Sequence, residues 1–415
     1  MPSVCLYFQV HQPLRVKKYR IFDVGHDHEY FNDSSETNLN NTKVLAKVSE
    51  KSYLPANKLF LKLLKKYPQL KISYSFSGVL LEQLVKYFPK VLNSFKKLVD
   101  TGRVEILSET YYHSLAFFYS REEFESQVAL HAKKIKDIFG FRPKVFRNTE
   151  LAYSNELASW ANEKGYKAIL AEGWDQFLGW RSPNFVYEPK IGGVRKIKLL
   201  LKNYKLSDDI AFRFSEKSWS QWPLTSEKFA SWASAINGNG QVINLFMDYE
   251  TFGEHQWKDH GIFDFLENLP RELLKHPDND FVTPTEAAKK YPAMDEVDVP
   301  YIVTWADTER DLSAWVGNAI QTSAIGFIYS LRDKVLRSKD NGLIEDWRRL
   351  QTSDHFYYMC TKWFSDGDVH KYFNPYESPY DAFISFMNVA NDLQLRLQNL
   401  SGKKGSRKGN RQVQD

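Results

Sequence analysis

Cysteine is almost missing from the sequence: Cys5 and Cys360 are the two in 415 residues. A disulfide framework is therefore excluded as the source of stability. Long apolar runs are missing too. None reaches the ~18 residues that a membrane helix requires, so no membrane contact is expected. The opening stretch MPSVCLYFQVHQP lacks the basic segment, long apolar segment and small-residue cleavage site of a secretory leader, and a cytoplasmic protein is expected. Charge of one sign is also scarce. Lys and Arg number 56 against 51 Asp and Glu, a net of +5, and SGKKGSRKGNRQVQD at the end carries five of those basic residues. With no basic stripe interleaved with aromatics, the sequence offers no nucleic-acid footprint. It has no internal repeat, no low-complexity segment before that tail, and nothing that sets an oligomeric state.

Aromatic residues, by contrast, are plentiful: 11 Trp, 23 Tyr and 29 Phe make 15% of the chain. Much of this belongs in a core. Surplus Trp and Tyr near polar loops also suit stacking on sugar rings, whose C–H faces are apolar. Seven short apolar or alternating runs read as strands: VCLYFQV, KISYSFS, VEILSE, KVFRNT, KAILAE, KIKLLL and VINLFMD. Stretches with helical spacing lie between most of them, among them PANKLFLKLLKKYP, SREEFESQVALHAKKIKDIFG and SNELASWANEKG. Ser120, Ser154 and Ser226 stand where N-caps are expected, and Gly102, Gly140, Gly165 and Gly238 where helices would stop. Strand and helix alternating in this way imply an α/β fold with parallel pairing and right-handed crossovers.

The strand ends carry the chemistry. The first run ends in His11, and the second leads to Ser77 with Glu82 behind it. The third runs into Glu109, Tyr111, Tyr112 and His113, the fourth into Glu150, and the fifth into Glu172 and Trp174. The sixth approaches Asp208 and Asp209, and the seventh ends in Asp248. If the sheet closes into a barrel, these groups converge at its C-terminal face, where barrel enzymes keep their active sites. After about residue 290 three long stretches of helical periodicity suggest a bundle. The expected organisation is a barrel over 1–290, a helical bundle over 291–400 that contributes to the substrate cleft, and a disordered basic tail over 401–415.

Five separated blocks stand in order: HQP at 11–13, SFSGVLLEQL at 75–84, FRNTELAYSNEL at 146–157, LFMDYETFGEH at 245–255 and WADTERDLSAW at 305–315. Together they resemble the five signature regions of glycoside hydrolase family 57, over nearly the whole chain to about residue 395. DGDVHKYFNPYESPYDAFISFMNV also resembles the amylase-type members. The resemblance implies an incomplete seven-stranded (β/α)7 barrel followed by a helical bundle. It makes Glu150 the nucleophile and Asp248 the general acid/base, and it places His11, Glu82, Glu250 and Asp307 along the sugar subsites. It calls for no cofactor and no metal.

The residue types fit such chemistry. Breaking a glycosidic bond requires an acid to protonate the leaving oxygen and a carboxylate to meet the charge at the anomeric carbon, the two about 5–5.5 Å apart in retaining enzymes. Glu250 lies two residues beyond Asp248 and, if the stretch is extended, points the same way. His255 and Trp257 follow and are available to hold a sugar, as are Trp174 and Trp305. The block from Trp305 to Trp315 is expected to reach back over the barrel mouth.

Plainer readings stand beside these. Glu150 can be a solvated loop acid, Asp248 a strand end, His11 a core histidine, Glu82 a helix-surface acid and Asp307 an N-cap; the three tryptophans can be core. His26, Asp27, His28 and His113 invite a metal reading. However, the first strand ends in His11 rather than a carboxylate pair, and no H-x3-H spacing occurs, as a metal-dependent polysaccharide deacetylase would have. The sequence thus points to a retaining α-glycoside hydrolase of the α-amylase type, with an α-1,4-glucan or malto-oligosaccharide as its partner. A 4-α-glucanotransferase with the same site is the alternative. An α-galactosidase, a glucan branching enzyme, an inactive glycan-binding protein and a metal-dependent polysaccharide deacetylase stand further off.

Overall fold

The computed structural model describes residues 2–31, 33–35, 37–194, 197–362 and 369–409. The chain divides into two compact units, each woven from separate segments. One comprises Met1–Gln12, Leu45–Tyr111 and Ser126–Ala306; the other comprises Pro13–Val44, Tyr112–Glu125 and Asp307–Asp415. A single cut near residue 290 does not describe this division. The first unit runs on to Ala306, and two stretches that lie within the first 290 residues belong to the second.

Among its described residues the first unit is built on nine strands: β1 Ser3–Val10, β2 Ile72–Phe76, β3 Val104–Ile106, β4 Val145–Phe146, β5 Ala168–Glu172, β6 Val186–Pro189, β7 Lys198–Lys202, β8 Val242–Asp248 and β9 Glu296–Val297. They form one sheet in the order β3-β2-β1-β8 and another in the order β4-β5-β7-β6-β9. Two seams join them. At one, Ser108 N–H donates to the Val145 carbonyl and Arg147 N–H to the Ser108 carbonyl, both at 2.9 Å. At the other, Asn203 N–H donates to the Asn244 carbonyl at 2.9 Å, and the Asn244 amide donates to the Leu201 carbonyl at 2.8 Å. The seven expected strands are thus β1, β2, β3, β4, β5, β7 and β8, closed into a (β/α)7 ring. The reason for its incompleteness lies in β6, which the sequence reading did not separate. β6 pairs antiparallel with Leu199 and Leu200 and takes up that edge of β7, leaving Asn203 beyond the strand end to reach β8.

Pleat alternation divides the strand residues between two cores. Cys5 and Tyr7 of β1 face inward with Phe246, Leu170 and Leu200, and Ala287 and Val282 join the same cluster at the end where the strands begin. Phe8 faces outward. There Phe8, Phe60, Tyr74, Phe95 and Phe252 surround Tyr249, whose ring centroid lies 5.1 Å from that of Tyr74. Much of the aromatic surplus is therefore core. Helices begin where their caps dictate. Ser77 caps Gly78–Tyr87, Ser154 caps Asn155–Glu163 and Asn203 caps Tyr204–Ala211. Thr225, one residue before the expected Ser226, caps Ser226–Ser234.

The second unit is helical in its C-terminal part. The long stretches read from periodicity are broken into Ser313–Val316, Ala319–Ser330, Arg332–Ser338, Asn341–Arg349, Ser353–Tyr357, Val369–Phe373 and Pro379–Gly409. Local chemistry makes the breaks. Asn318 and Asp340 act as N-caps, and Lys339 adopts a left-handed φ of 58°. Trp315 and Trp347 are fully buried, and Trp347 Nε1–H donates to the Ile328 carbonyl at 2.8 Å. The last helix runs through Gly409, into the segment expected to be a disordered tail. A helix already nucleated by a well-packed stretch propagates at little further cost. Residues 410–415 of that expected tail lie outside the described residues.

In the same unit the HDH stretch is tied to that last helix. Buried Asp392 accepts from Gly25 N–H at 2.6 Å, from the Tyr30 hydroxyl and from His28 Nδ1 at 2.8 Å. Asp27 pairs with Lys17. These partners account for Asp27 and His28.

Candidate active site

Polar residues occupy the interior of the barrel where its strands end. The Tyr7 hydroxyl lies 2.6 Å from Ser75 Oγ and donates to Gln9 Oε1 at 3.0 Å. Gln9 Nε2 donates to Glu109 Oε1 at 3.2 Å. The Glu109 main-chain N–H points to His131 Nδ1 at 3.4 Å, and His131 Nε2 lies 2.8 Å from the Phe76 carbonyl. Those partners require the neutral tautomer with the proton on Nε2, in keeping with a pKa lowered by burial.

Glu150 follows β4 in a short 3-10 turn, Thr149–Leu151. Its φ is 59° and that of Leu151 is 50°. Two successive non-glycine residues in the left-handed region cost roughly 1–3 kcal/mol each, so the surroundings must hold them. The segment before Trp305 does so. Tyr153 and Val303 exchange backbone hydrogen bonds of 2.8 and 2.9 Å, and Trp305 N–H donates to the Glu150 carbonyl at 3.3 Å. Trp305 Nε1–H then donates to Glu150 Oε2 at 2.9 Å. The Trp305 part of the fifth block therefore reaches the Glu150 side chain. Asp307 lies in the second unit, at φ 53° in a turn, and the next helix opens at Ser313, so Asp307 is not its cap.

Asp248 is the last residue of β8 and is partly exposed. The chain does not stay extended beyond it, as the sequence reading supposed. Tyr249–Thr251 forms a 3-10 turn, which anchors Tyr249 in the outer aromatic core and buries Glu250. Glu250 Oε1 accepts from His11 N–H at 3.3 Å and from the Tyr53 hydroxyl. Burial, followed by the charge of Asp248, pushes the Glu250 carboxyl up to about 8 against those hydrogen bonds. His11 Nδ1 lies 2.6 Å from Ser77 Oγ. Glu82 Oε1 accepts the Tyr111 hydroxyl at 2.7 Å. The Tyr111 ring lies directly over Gly78, where a Cβ has no room.

The remaining candidates each have their own surroundings. His255 is partly buried and sits in the loop after Glu250, its main-chain N–H on the Glu250 carbonyl at 3.0 Å. Loss of water lowers its imidazole to about 4, so it is neutral at neutral pH. Trp257 is 53% exposed, stacks on His260 with ring centroids 5.6 Å apart, and has the Lys51 ammonium 5.8 Å from its ring. Trp174 precedes the short helix Asp175–Leu178 and is partly exposed. In the second unit, Asp307 is gripped by His370 Nε2 at 2.9 and 3.0 Å and by Lys362 Nζ at 3.3 Å. Burial opposes a charged His370, but Asp307 and Cys360 raise it to about 9.

Residues 5–300 match the Glycosyl hydrolase family 57 description. The chain belongs to that family. A Methanocaldococcus jannaschii protein described as "Putative alpha-amylase" is 43% identical over 97% of this chain and 86% of its own length. Among solved structures, the family 57 branching enzyme of Pyrococcus horikoshii superposes with a TM-score of 0.65 at 17% identity, covering 90% of this chain and 87% of that one. The 4-alpha-glucanotransferase of Thermococcus litoralis gives 0.62 at 17%, covering 86% of this chain and 56% of the other. At such identities the superpositions show the family 57 barrel fold. No helix among the described residues is long and apolar enough to cross a membrane.

Sequence reasoning passed over several residues that contact the candidate site residues. Tyr53 lies in the π-helical turn Ser49–Tyr53, far from any signature block. Arg147 was inside a quoted block but unremarked, and Lys202 ends β7 as an apparently ordinary strand cation. A basic residue at the end of an otherwise apolar run is the signal that would have singled out both.

Proposed function

We propose that this protein is a retaining α-glycoside hydrolase that cuts α-1,4-linked glucans, the α-amylase type of family 57, with malto-oligosaccharides as its shorter substrates. The observation that carries the reading is the Glu150 carboxylate, held by the Trp305 indole at the end of β4, in the barrel whose β8 ends in Asp248. Glu150 acts as nucleophile. A carboxylate oxygen attacks the anomeric carbon while the bond to the leaving oxygen breaks, and Asp248 gives that oxygen its proton. Water then attacks the glycosyl ester, Asp248 takes a proton from it, and the Glu150 carboxylate leaves with overall retention. His11, Glu82 and Glu250 serve as sugar contacts or position the acids.

The test is incubation with maltoheptaose and chromatography of the products. Shorter sugars alone are expected from a hydrolase. Longer sugars beside them identify a 4-α-glucanotransferase, in which a sugar hydroxyl replaces water in the second step. No change in any α-glucan or aryl α-glycoside overturns the reading.

A further inference from the structure

Arg147 is the least expected side chain in the barrel. It is fully buried, and none of its three guanidinium nitrogens has a hydrogen-bond partner among the described residues. Its nearest carboxylate, Glu109, stands 4.0 Å away, an ion pair without a hydrogen bond. A buried guanidinium with unmet donors is costly, so its place calls for another account. Its central carbon lies 4.9 Å from the centroid of the Trp305 ring. The Lys202 ammonium, 4% exposed, lies 5.6 Å from the same ring while bonded to Asp208 at 2.9 Å and paired with Glu172 at 3.6 Å. Trp305 is thus approached by two buried cations, and its N–H rests on Glu150.

We infer that Trp305 and Arg147 form a positioning pair for Glu150, in which the indole N–H fixes the carboxylate and the guanidinium against the ring keeps it ionised. This rests on the reading of Glu150 as nucleophile. A cation against an aromatic ring is drawn to its π electrons, and the withdrawal of density strengthens the N–H as a donor. The same positive charge favours the carboxylate form of an acid nearby. Two cations are needed because this end of the barrel is crowded with acids: Glu109 after β3, Glu172 on β5, Asp208 in the helix Tyr204–Ala211 and Asp248 on β8, with Glu250 beyond it keeping its proton at neutral pH. Without a counterweight those charges would drive a proton onto Glu150. Trp305 is accordingly not a sugar platform. Its ring is occupied by the cations and its polar edge by the nucleophile.

The test uses the full chain with Trp305→Phe, Arg147→Gln and Arg147→Lys. On an aryl α-maltoside, Trp305→Phe keeps a ring and loses the N–H. It is expected to lower kcat about 10- to 100-fold, the size of one hydrogen bond to a charged group, with KM within about 3-fold. The acid limb of its kcat/KM profile is expected to move to higher pH. Arg147→Gln should move that limb the same way, and Arg147→Lys should restore most of it. A rise in KM alone for Trp305→Phe, with kcat and the acid limb unmoved, makes Trp305 a sugar platform and overturns the inference. An acid limb unmoved in Arg147→Gln makes Arg147 structural and overturns its half. A second readout needs no turnover. In a 15N-tryptophan-labelled protein, the indole resonance that Trp305→Phe deletes is expected to shift in Glu150→Gln. If it does not, the contact has no influence and the inference fails even in an active enzyme. If it does shift but the wild-type protein cleaves no α-glycoside, the pair stands and the proposed activity fails.

Discussion

Tyr53 and Glu250 stand 197 positions apart in the chain, and the Tyr53 hydroxyl donates to Glu250 Oε1. Tyr53 also stacks on Tyr249, with centroids 6.2 Å apart and planes 17° from parallel. One residue therefore packs the 3-10 turn after β8 from outside the barrel and satisfies the acid that the turn buries. Glu250 is placed beside Asp248 by an aromatic core of which Phe8, Tyr53, Phe60, Tyr74 and Phe95 lie outside every signature block.

That burial makes Glu250 a liability at alkaline pH. Its folded carboxyl is raised from an ordinary 4.5 to about 8, so between those values the folded chain keeps a proton that the unfolded chain has lost. Stability must then fall as pH rises through this window. Glu250→Gln mimics the neutral form. Its melting temperature is expected to exceed that of the wild type at pH 8 and to converge with it below pH 4.5. Parallel melting curves from pH 5 to 9 would sink the argument.

The Asp307–His370 pair has its own window. His370 is raised from 6.5 to about 9 and Asp307 is lowered from 3.8. The histidine's contribution is complete below 6.5 and lost as pH rises through 9; the aspartate's is complete above 3.8 and lost on acidification. The pair is at full strength between about pH 4 and 6.5 and is worth on the order of 2–3 kcal/mol there. In a Glu250→Gln background, His370→Asn should remove most of the remaining fall in stability between pH 6.5 and 9, measured by urea unfolding at fixed ionic strength. An unchanged slope would place the titrating group elsewhere.

Glu150 and Asp248 are expected to separate by role. Glu150→Ala should abolish turnover on every substrate, because no glycosyl ester can form. Asp248→Ala should lower kcat on malto-oligosaccharides about 10²- to 10⁴-fold. With an aryl glycoside the first step should survive in the Asp248 variant, giving a burst and then slow turnover. Azide, which needs no base, should restore its rate with a glycosyl azide of retained configuration. An inverted azide from this variant would mean that the two roles are reversed.

Gly78 and Tyr111 should behave as a coupled pair. A methyl group at 78 collides with the Tyr111 ring, so Gly78→Ala is expected to cost about 1–3 kcal/mol and to disturb the hydrogen bond to Glu82. Added to Tyr111→Ala, which empties that space, Gly78→Ala should cost clearly less than it does alone. Additive costs in the double-mutant cycle would show that the contact is easily relieved.

The ring of seven strands was legible because each strand is a short apolar run with a longer helical stretch beside it, and run length together with period separates the two. β6 was not, because its short run, FVYEP, carries no alternation that marks it as an edge strand against β7. The C-terminal helices were overdrawn for a related reason. Periodicity runs straight through Asn318, where a side-chain cap makes the break, whereas Lys339, at a left-handed φ, falls in the gap already left between two of the stretches. The division into units was also hidden, since Pro13–Val44 and Tyr112–Glu125 are assigned by packing, which linear order does not record.

The sequence by itself determined the family, the parallel barrel and the order in which Glu150 and Asp248 arrive at its strand ends. Blocks of local sequence and strand-helix alternation are properties of neighbours along the chain. The tertiary structure alone decided what surrounds those acids. It put the Trp305 N–H on Glu150 from 155 residues away, turned the chain after Asp248 so that Glu250 is buried under Tyr53, and sank Arg147 beside an indole ring. Each of these depends on which distant groups share a small, dry volume. Burial and charge act through space, and the linear sequence does not state those distances.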